Sequence, residues 1–82
     1  MNEVYVLTIK IIDSESTSDE VVGVYKDESA AKRIMNEVAD SESNSMYQEY
    51  QCDIECEEED TCIRLRCNSE IVIISYDSFP VK

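Results

Sequence analysis

Residues 51–66 read QCDIECEEEDTCIRLR, and the phase of that stretch decides what the second half of the chain can be. Tyr50, Cys52, Ile54 and Cys56 share one parity, while Glu49, Gln51, Asp53 and Glu55 share the other. This two-residue alternation predicts a half-buried strand over residues 47–57. Residues 61–68 alternate in the same way, with Ile63, Leu65 and Cys67 facing in and Cys62, Arg64 and Arg66 facing out. The acidic run Glu57, Glu58, Glu59 and Asp60 is then the loop of a hairpin. Its register sets Cys56 against Thr61, Ile54 against Ile63, Cys52 against Leu65 and Tyr50 against Cys67. On the outer side it sets Asp53 against Arg64, Gln51 against Arg66 and Cys62 against Glu55. An exposed cross-strand pair of opposite charge is worth only ~0.2–1 kcal/mol, but its sign agrees with the hydrophobic phase.

Working outward, Asn68-Ser69 predicts a turn into residues 71–76 (IVIISY), a near-continuous apolar run expected to be central or covered on both faces. Phe79-Pro80 is expected to end regular structure. Upstream, residues 3–12 (EVYVLTIKII) are β-branched and aromatic, with Tyr5, Leu7, Ile9 and Ile11 on the face expected to be buried. A polar loop over residues 13–19 leads to a second strand over residues 20–26. Gly23 lies inside that strand, as a bulge or a close approach of backbone would require. Asp27 predicts a helix N-cap, with Glu28 favoured in the first turn by the helix dipole. Ala30, Ala31, Ile34, Met35, Val38 and Ala39 form one apolar stripe, and the helix is expected to fray near Ser41, where SESNS offers poor propensity. The resulting order, ββαβββ, predicts an α+β fold in which one helix covers one face of a five-stranded, mainly antiparallel sheet. The other face is expected to be polar and wet unless another molecule covers it. At 82 residues the chain is expected to form a single domain over 1–82.

Charge is the strongest global signal. Nineteen acids against seven bases give a net charge of −12, which repels nucleic acid and anionic membranes and favours a basic protein surface as partner. Residues 34–63 contain no Lys or Arg, yet ten of the acids fall there. Within that window Glu49, Asp53, Glu55, Glu57, Glu58, Glu59 and Asp60 are the candidate partner-binding residues. Carboxylates at i and i+2 along a strand and its loop would make a fixed row of negative charge, able to occupy a groove shaped for phosphates. A solubilising role explains the same charge equally well. The longest purely apolar run is four residues, too short to span a membrane, and the N-terminal residues have no signal-peptide pattern. A cytoplasmic location is therefore expected.

Catalysis and cofactors find little support. There is no His, and the single Gly excludes a phosphate-cradling loop, so neither an enzyme nor a bound cofactor is expected. Cys52, Cys56, Cys62 and Cys67 are the one candidate metal-holding set, since Cys52-x₃-Cys56 has a knuckle-like spacing. On a strand, however, i and i+4 lie about 13 Å apart, too far to share an ion or form a disulfide, and disulfides are the least favoured reading of the four. The reading preferred for the cysteines is buried thiols behaving as small hydrophobes, as a reducing cytosol permits, with Cys62 alone outside. Asp13, Glu15, Thr17 and Asp19 imitate a calcium loop, but its sixth position is Ser18 and its twelfth Val24, so a solvated loop is preferred.

The pieces Val4 to Thr8, Gly23 to Tyr25 and Asp27 to Ala31, followed by the tyrosine-containing acidic segment from Tyr47 to Glu55, resemble a group of small uncharacterised bacterial and phage domains. The resemblance covers residues 3–56, and its motifs are structural. The four cysteines and the strands over residues 61–76 depart from that group's pattern. It implies a phage or prophage setting, in which small acidic proteins are similar in kind to host-takeover and anti-defence inhibitors. The leading expectation is thus a non-enzymatic binding module that mimics nucleic acid. A cysteine-based metal module and a self-associating domain are the alternatives.

Overall fold

A computed structural model describes residues 2–51 and 53–81. The elements are β1 (Asn2–Ile12), β2 (Thr17–Tyr25), α1 (Glu28–Tyr50), β3 (Glu55–Glu58), β4 (Cys62–Cys67) and β5 (Glu70–Val81). The strands form one antiparallel sheet in the order β2-β1-β5-β4-β3, and α1 packs across β5, β4, β1 and β2. The fold is α+β in the order ββαβββ.

The core lies between the helix and one sheet face. Leu7 and Ile9 from β1, Ile63, Leu65 and Cys67 from β4, and Val72, Ile74 and Tyr76 from β5 meet Ala31, Met35, Ala39 and Met46 of α1. These sheet residues keep one parity along each strand, as the period of two requires. The apolar run in β5 is central, but the helix covers only one of its faces; Ile71 and Ile73 are half-buried on the other.

Besides β2, which begins at Thr17 where the loop was expected to run to residue 19, three boundaries differ from the sequence reading. The helix does not fray at Ser41 but continues for 23 residues to Tyr50, ending on Gln51 in the left-handed region (φ 52°), whose N–H donates to the Tyr47 carbonyl at 2.8 Å. Met46 explains the extension. It is 2% exposed and continues the stripe of Ala31, Met35 and Ala39, so burial outweighs both the weak propensity of SESNS and the uncompensated Glu49 in the last turn. Asp27 occupies the N-cap position as expected, though its side chain makes no capping hydrogen bond.

The strand expected over residues 47–57 therefore shrinks to Glu55–Glu58, and the hairpin register moves. Glu55 opposes Arg66, Cys56 opposes Leu65, Glu57 opposes Arg64 and Glu58 opposes Ile63. With residues 47–50 in the helix, the inner pairs expected for Tyr50 and Ile54 cannot form, nor can Asp53–Arg64 or Gln51–Arg66. The pair expected between Cys52 and Leu65 falls on a residue outside those described, and Cys56 takes the place opposite Leu65. The slip is an even number of residues, so the faces of β3 are unchanged.

The third boundary is Pro80, which lies within β5, opposite Glu3. The Tyr76 N–H points toward the β4 side, where it donates to Thr61 O at 3.0 Å. The two-residue repeat aims the Pro80 nitrogen the same way, beyond the start of β4, so no ladder bond is lost. Gly23 lies at the bulge where β1 and β2 shift register, with the Tyr25 ring across it; a Cβ there would sit 2.6 Å from the Tyr25 hydroxyl. Both functions that a mid-strand glycine suggested are thus combined at one position.

Candidate acidic interaction site

The seven carboxylates expected to form one row are divided among three places. Glu49 is in the last turn of α1 and Asp53 follows the helix, both at the end of the molecule where β3 begins. Glu55 and Glu57 project on the sheet face away from the helix, beside Arg66 and Arg64. Glu57 Oε2 lies 3.4 Å from Arg64 Nη1, and both side chains are largely exposed. Such a pair contributes ~0.2–1 kcal/mol and spends part of the charge that a partner would meet. The arginine-to-acid pairing expected from the sequence is present, with Glu57 in the place assigned to Asp53.

Glu58, Glu59 and Asp60 do converge. They line a shallow cleft with Lys32 and Asn36 of α1, floored by Met35 and Ile63. The turn is closed by the Glu59 N–H donating to Cys62 O at 2.7 Å. It is joined to the helix through Tyr76, whose hydroxyl donates to Glu28 Oε2 at 2.8 Å and lies 3.3 Å from the Asp60 carbonyl oxygen. Tyr76 is 3% exposed, and its ring meets that of Tyr5 edge-on at 6.0 Å. Burial first, then the hydrogen bond and charge of Glu28 and the charge of Asp60, together push the phenol up to about 12. The hydroxyl therefore stays protonated and remains a donor at neutral pH. One buried tyrosine thus ties the first turn of α1, through Glu28, to the β3–β4 turn at Asp60.

Glu28 and Tyr76 were not in the sequence-derived set. In the sequence Glu28 stands only as a complement to the helix dipole, and Tyr76 only as the end of an apolar strand. Their meeting across 48 residues needs the helix and β5 to be placed against each other.

The cysteines separate as well. Cys67 is buried as expected, but it is disulfide-bonded rather than a free thiol. Cys56 and Cys62 are free. Cys56 has the parity of the core face but is exposed, because β3 is a short edge strand at the rim of the helix's cover. Cys62 is on the opposite face, with Ser75 of β5 beside it and the Glu59 backbone on its other side, instead of Glu55. Cys62 thus cannot join Cys56 or Cys67 around one ion without unfolding the sheet. Cys52 is outside the described residues; among those described, no group of three or more His, Cys, Asp or Glu side chains is arranged to hold a metal. Burial raises both free thiols above their usual value, with Glu58 and then Asp40 adding to Cys56, and Glu59 adding to Cys62 against an opposing Arg64. Thiolate, the nucleophilic form, is accordingly disfavoured at both.

The polar loop at residues 13–16 uses its first carboxylate internally. Asp13 Oδ1 accepts from the N–H groups of Glu15 at 2.8 Å and Ser16 at 2.7 Å, and these bonds lower its pKa. That arrangement is a turn stabilised by its own aspartate.

Compared with known proteins, the chain matches no family model, no curated protein and no solved structure.

Proposed function

We propose that the protein is a non-enzymatic binding module whose acidic corner engages a basic site on another protein. The observation that carries this reading is the convergence of Glu58, Glu59 and Asp60 on one cleft, on a turn whose Asp60 backbone is joined through the buried Tyr76 to Glu28. Carboxylates carried on a turn whose backbone is held lose less chain freedom on binding than carboxylates on a mobile tail, so more of their Coulombic attraction is retained. Mimicry of nucleic acid is the specific form of the proposal: the corner occupies a groove that otherwise takes phosphates. Inhibition of a host defence or nucleic-acid-binding protein follows from that form, and the phage setting rests on the resemblance of residues 3–56. The two free thiols, with their raised pKa values and no histidine to serve as base, support a non-catalytic role.

The test is capture of partners from bacterial lysate by the wild-type protein and by Glu58→Gln/Glu59→Gln/Asp60→Asn, followed by salt titration. A basic partner that binds the wild type, weakens with rising salt and is lost with the triple substitution supports the proposal. An acidic partner, or binding indifferent to salt, removes it.

No helix among the described residues is long and apolar enough to cross a membrane. The cystine at Cys67 bears on location, since cytosolic pools keep most thiols reduced and oxidising compartments sustain such bonds. It weighs against a permanently reducing cytosol. Alkylation in denaturant without reductant should label Cys56 and Cys62 and spare Cys67; labelling of Cys67 in protein isolated under thiol-trapping conditions restores the cytosolic reading.

A further inference from the structure

The sheet face opposite α1 is not the polar surface that alternation suggested. Val6, Val21, Val24, Ile71, Ile73 and Phe79 project there, with Val21 and Val24 more than half exposed and Phe79 close to it. Charge is also partitioned between the two sides. The open face carries three bases, Lys10, Arg64 and Arg66, against four acids, Asp19, Glu55, Glu57 and Asp77, a net of −1. The remaining −11 of the chain's −12 lies elsewhere, on the helix, the turns and the ends of the strands. This is the one side of the molecule that another copy of so acidic a chain can approach without strong repulsion.

We propose that this face is a self-association surface on which two copies pack sheet against sheet. The four strands that such an axis can superpose, β2, β1, β5 and β4, overlap over roughly 500 Å² per copy at ~4.8 Å strand spacing, or about 1,000 Å² for the pair, the least that a specific dimer buries. The cross-strand rows are ordered to suit a two-fold axis. One row runs Asp19, Lys10, Ile73, Arg64, Glu57, acid at each rim and base inside. A two-fold axis along the strands, between β1 and β5, sets β1 of each copy over β5 of the other. Asp19 then falls against Arg64 of the second copy, Ile12 against Ile71, and Val4 against Phe79. Each of these contacts occurs twice, as a two-fold interface demands. Aligned sheets pack about 10 Å apart, the distance at which aliphatic side chains from both faces interdigitate. A strongly basic partner would instead meet the central lysine and arginines. The Glu58–Asp60 corner lies on the helix side of β3 and stays accessible on both copies.

Sedimentation of the full chain from about 5 to 500 μM, at low and high salt, tests the proposal. A monomer–dimer equilibrium is expected whose dimer fraction rises with salt, because screening relieves the repulsion between the two −11 sides. This is the opposite salt response from binding of a basic partner at the acidic corner, so failure of either reading leaves the other intact. Val21→Glu/Val24→Glu alters side chains that are already exposed and should weaken the dimer at least tenfold with an unchanged far-UV spectrum. If that variant misfolds, Arg64→Glu, which opposes Asp19 with a like charge, should weaken it several-fold. A strict monomer across the whole range, or a dimer unaffected by the variant that folds, overturns the proposal.

Discussion

The two faces of the sheet carry similar numbers of apolar residues but have different fates. On the helix side, Leu7, Ile63, Leu65, Val72 and Ile74 are no more than 2% exposed. On the open side, Val21 and Val24 are 59% and 58% exposed, and Ile71 and Ile73 are shielded only in part. Composition along the strands does not separate them; Ile73 and Ile74 are adjacent and chemically identical. What separates them is the 23-residue helix, which can cover one face alone. An apolar side chain on this fold therefore contributes to folding on one side, and on the other its surface is available for association.

Truncation at matched positions is the strongest way to break that comparison. Leu65→Ala should cost about 2–5 kcal/mol in denaturant unfolding, the usual range for a fully buried leucine, whereas Ile73→Ala in dilute protein should cost about 1 kcal/mol or less. Equal costs at the two positions would mean that the open face is covered within the monomer. Next in size is Met46→Ala, expected to cost about 2–4 kcal/mol and to lower helix content, because residues 41–50 remain helical through that contact. Helix content unchanged in this variant would show that the last turns are held by something else.

Tyr76→Phe sharpens the comparison from the polar side. It keeps the ring and removes the donor to Glu28, so a loss of about 1–3 kcal/mol is expected. The pH dependence has a definite sign. The unfolded phenol ionises near its ordinary 10.0 and the folded one at about 12, so folding favours the protonated form. That contribution is complete below pH 10 and is lost as pH rises toward 12. Wild-type stability should fall across this window more steeply than that of Tyr76→Phe; parallel profiles would detach the tyrosine from the bridge. The smallest effect belongs to the open-face ion pair. Glu57→Gln should change stability by less than about 1 kcal/mol, and by less still in high salt.

The acidic site was legible in kind but not in arrangement. The run Glu57, Glu58, Glu59, Asp60 announces a charged turn, and the turn is where the carboxylates converge. The row that would have extended it through Asp53 to Glu49 depended on residues 47–57 being a strand. Two periods compete there. The alternation of Tyr50, Cys52, Ile54 and Cys56 suits a strand, but Met46 lies seven residues after Ala39 and eleven after Met35, which suits the helix. The local pattern was the less informative of the two because an edge strand needs little burial, while the core had a place that only Met46 filled. The same shift of boundary moved Glu57 into the position beside Arg64 that Asp53 was expected to take.

By itself, the sequence determined the order of the elements, the antiparallel α+β class and the inward parity of β1, β4 and β5, since period-two burial is a property of each strand alone. It also determined the charge. Only the tertiary structure decided where the helix stops, which residues of β3 and β4 oppose each other, and which apolar face is left open. Each of those is settled by contacts between segments far apart in the chain. Met46 finds its place only when the sheet is present, Tyr76 finds Glu28 only when helix and β5 meet, and an apolar strand residue is core or surface according to the side on which the single helix lies.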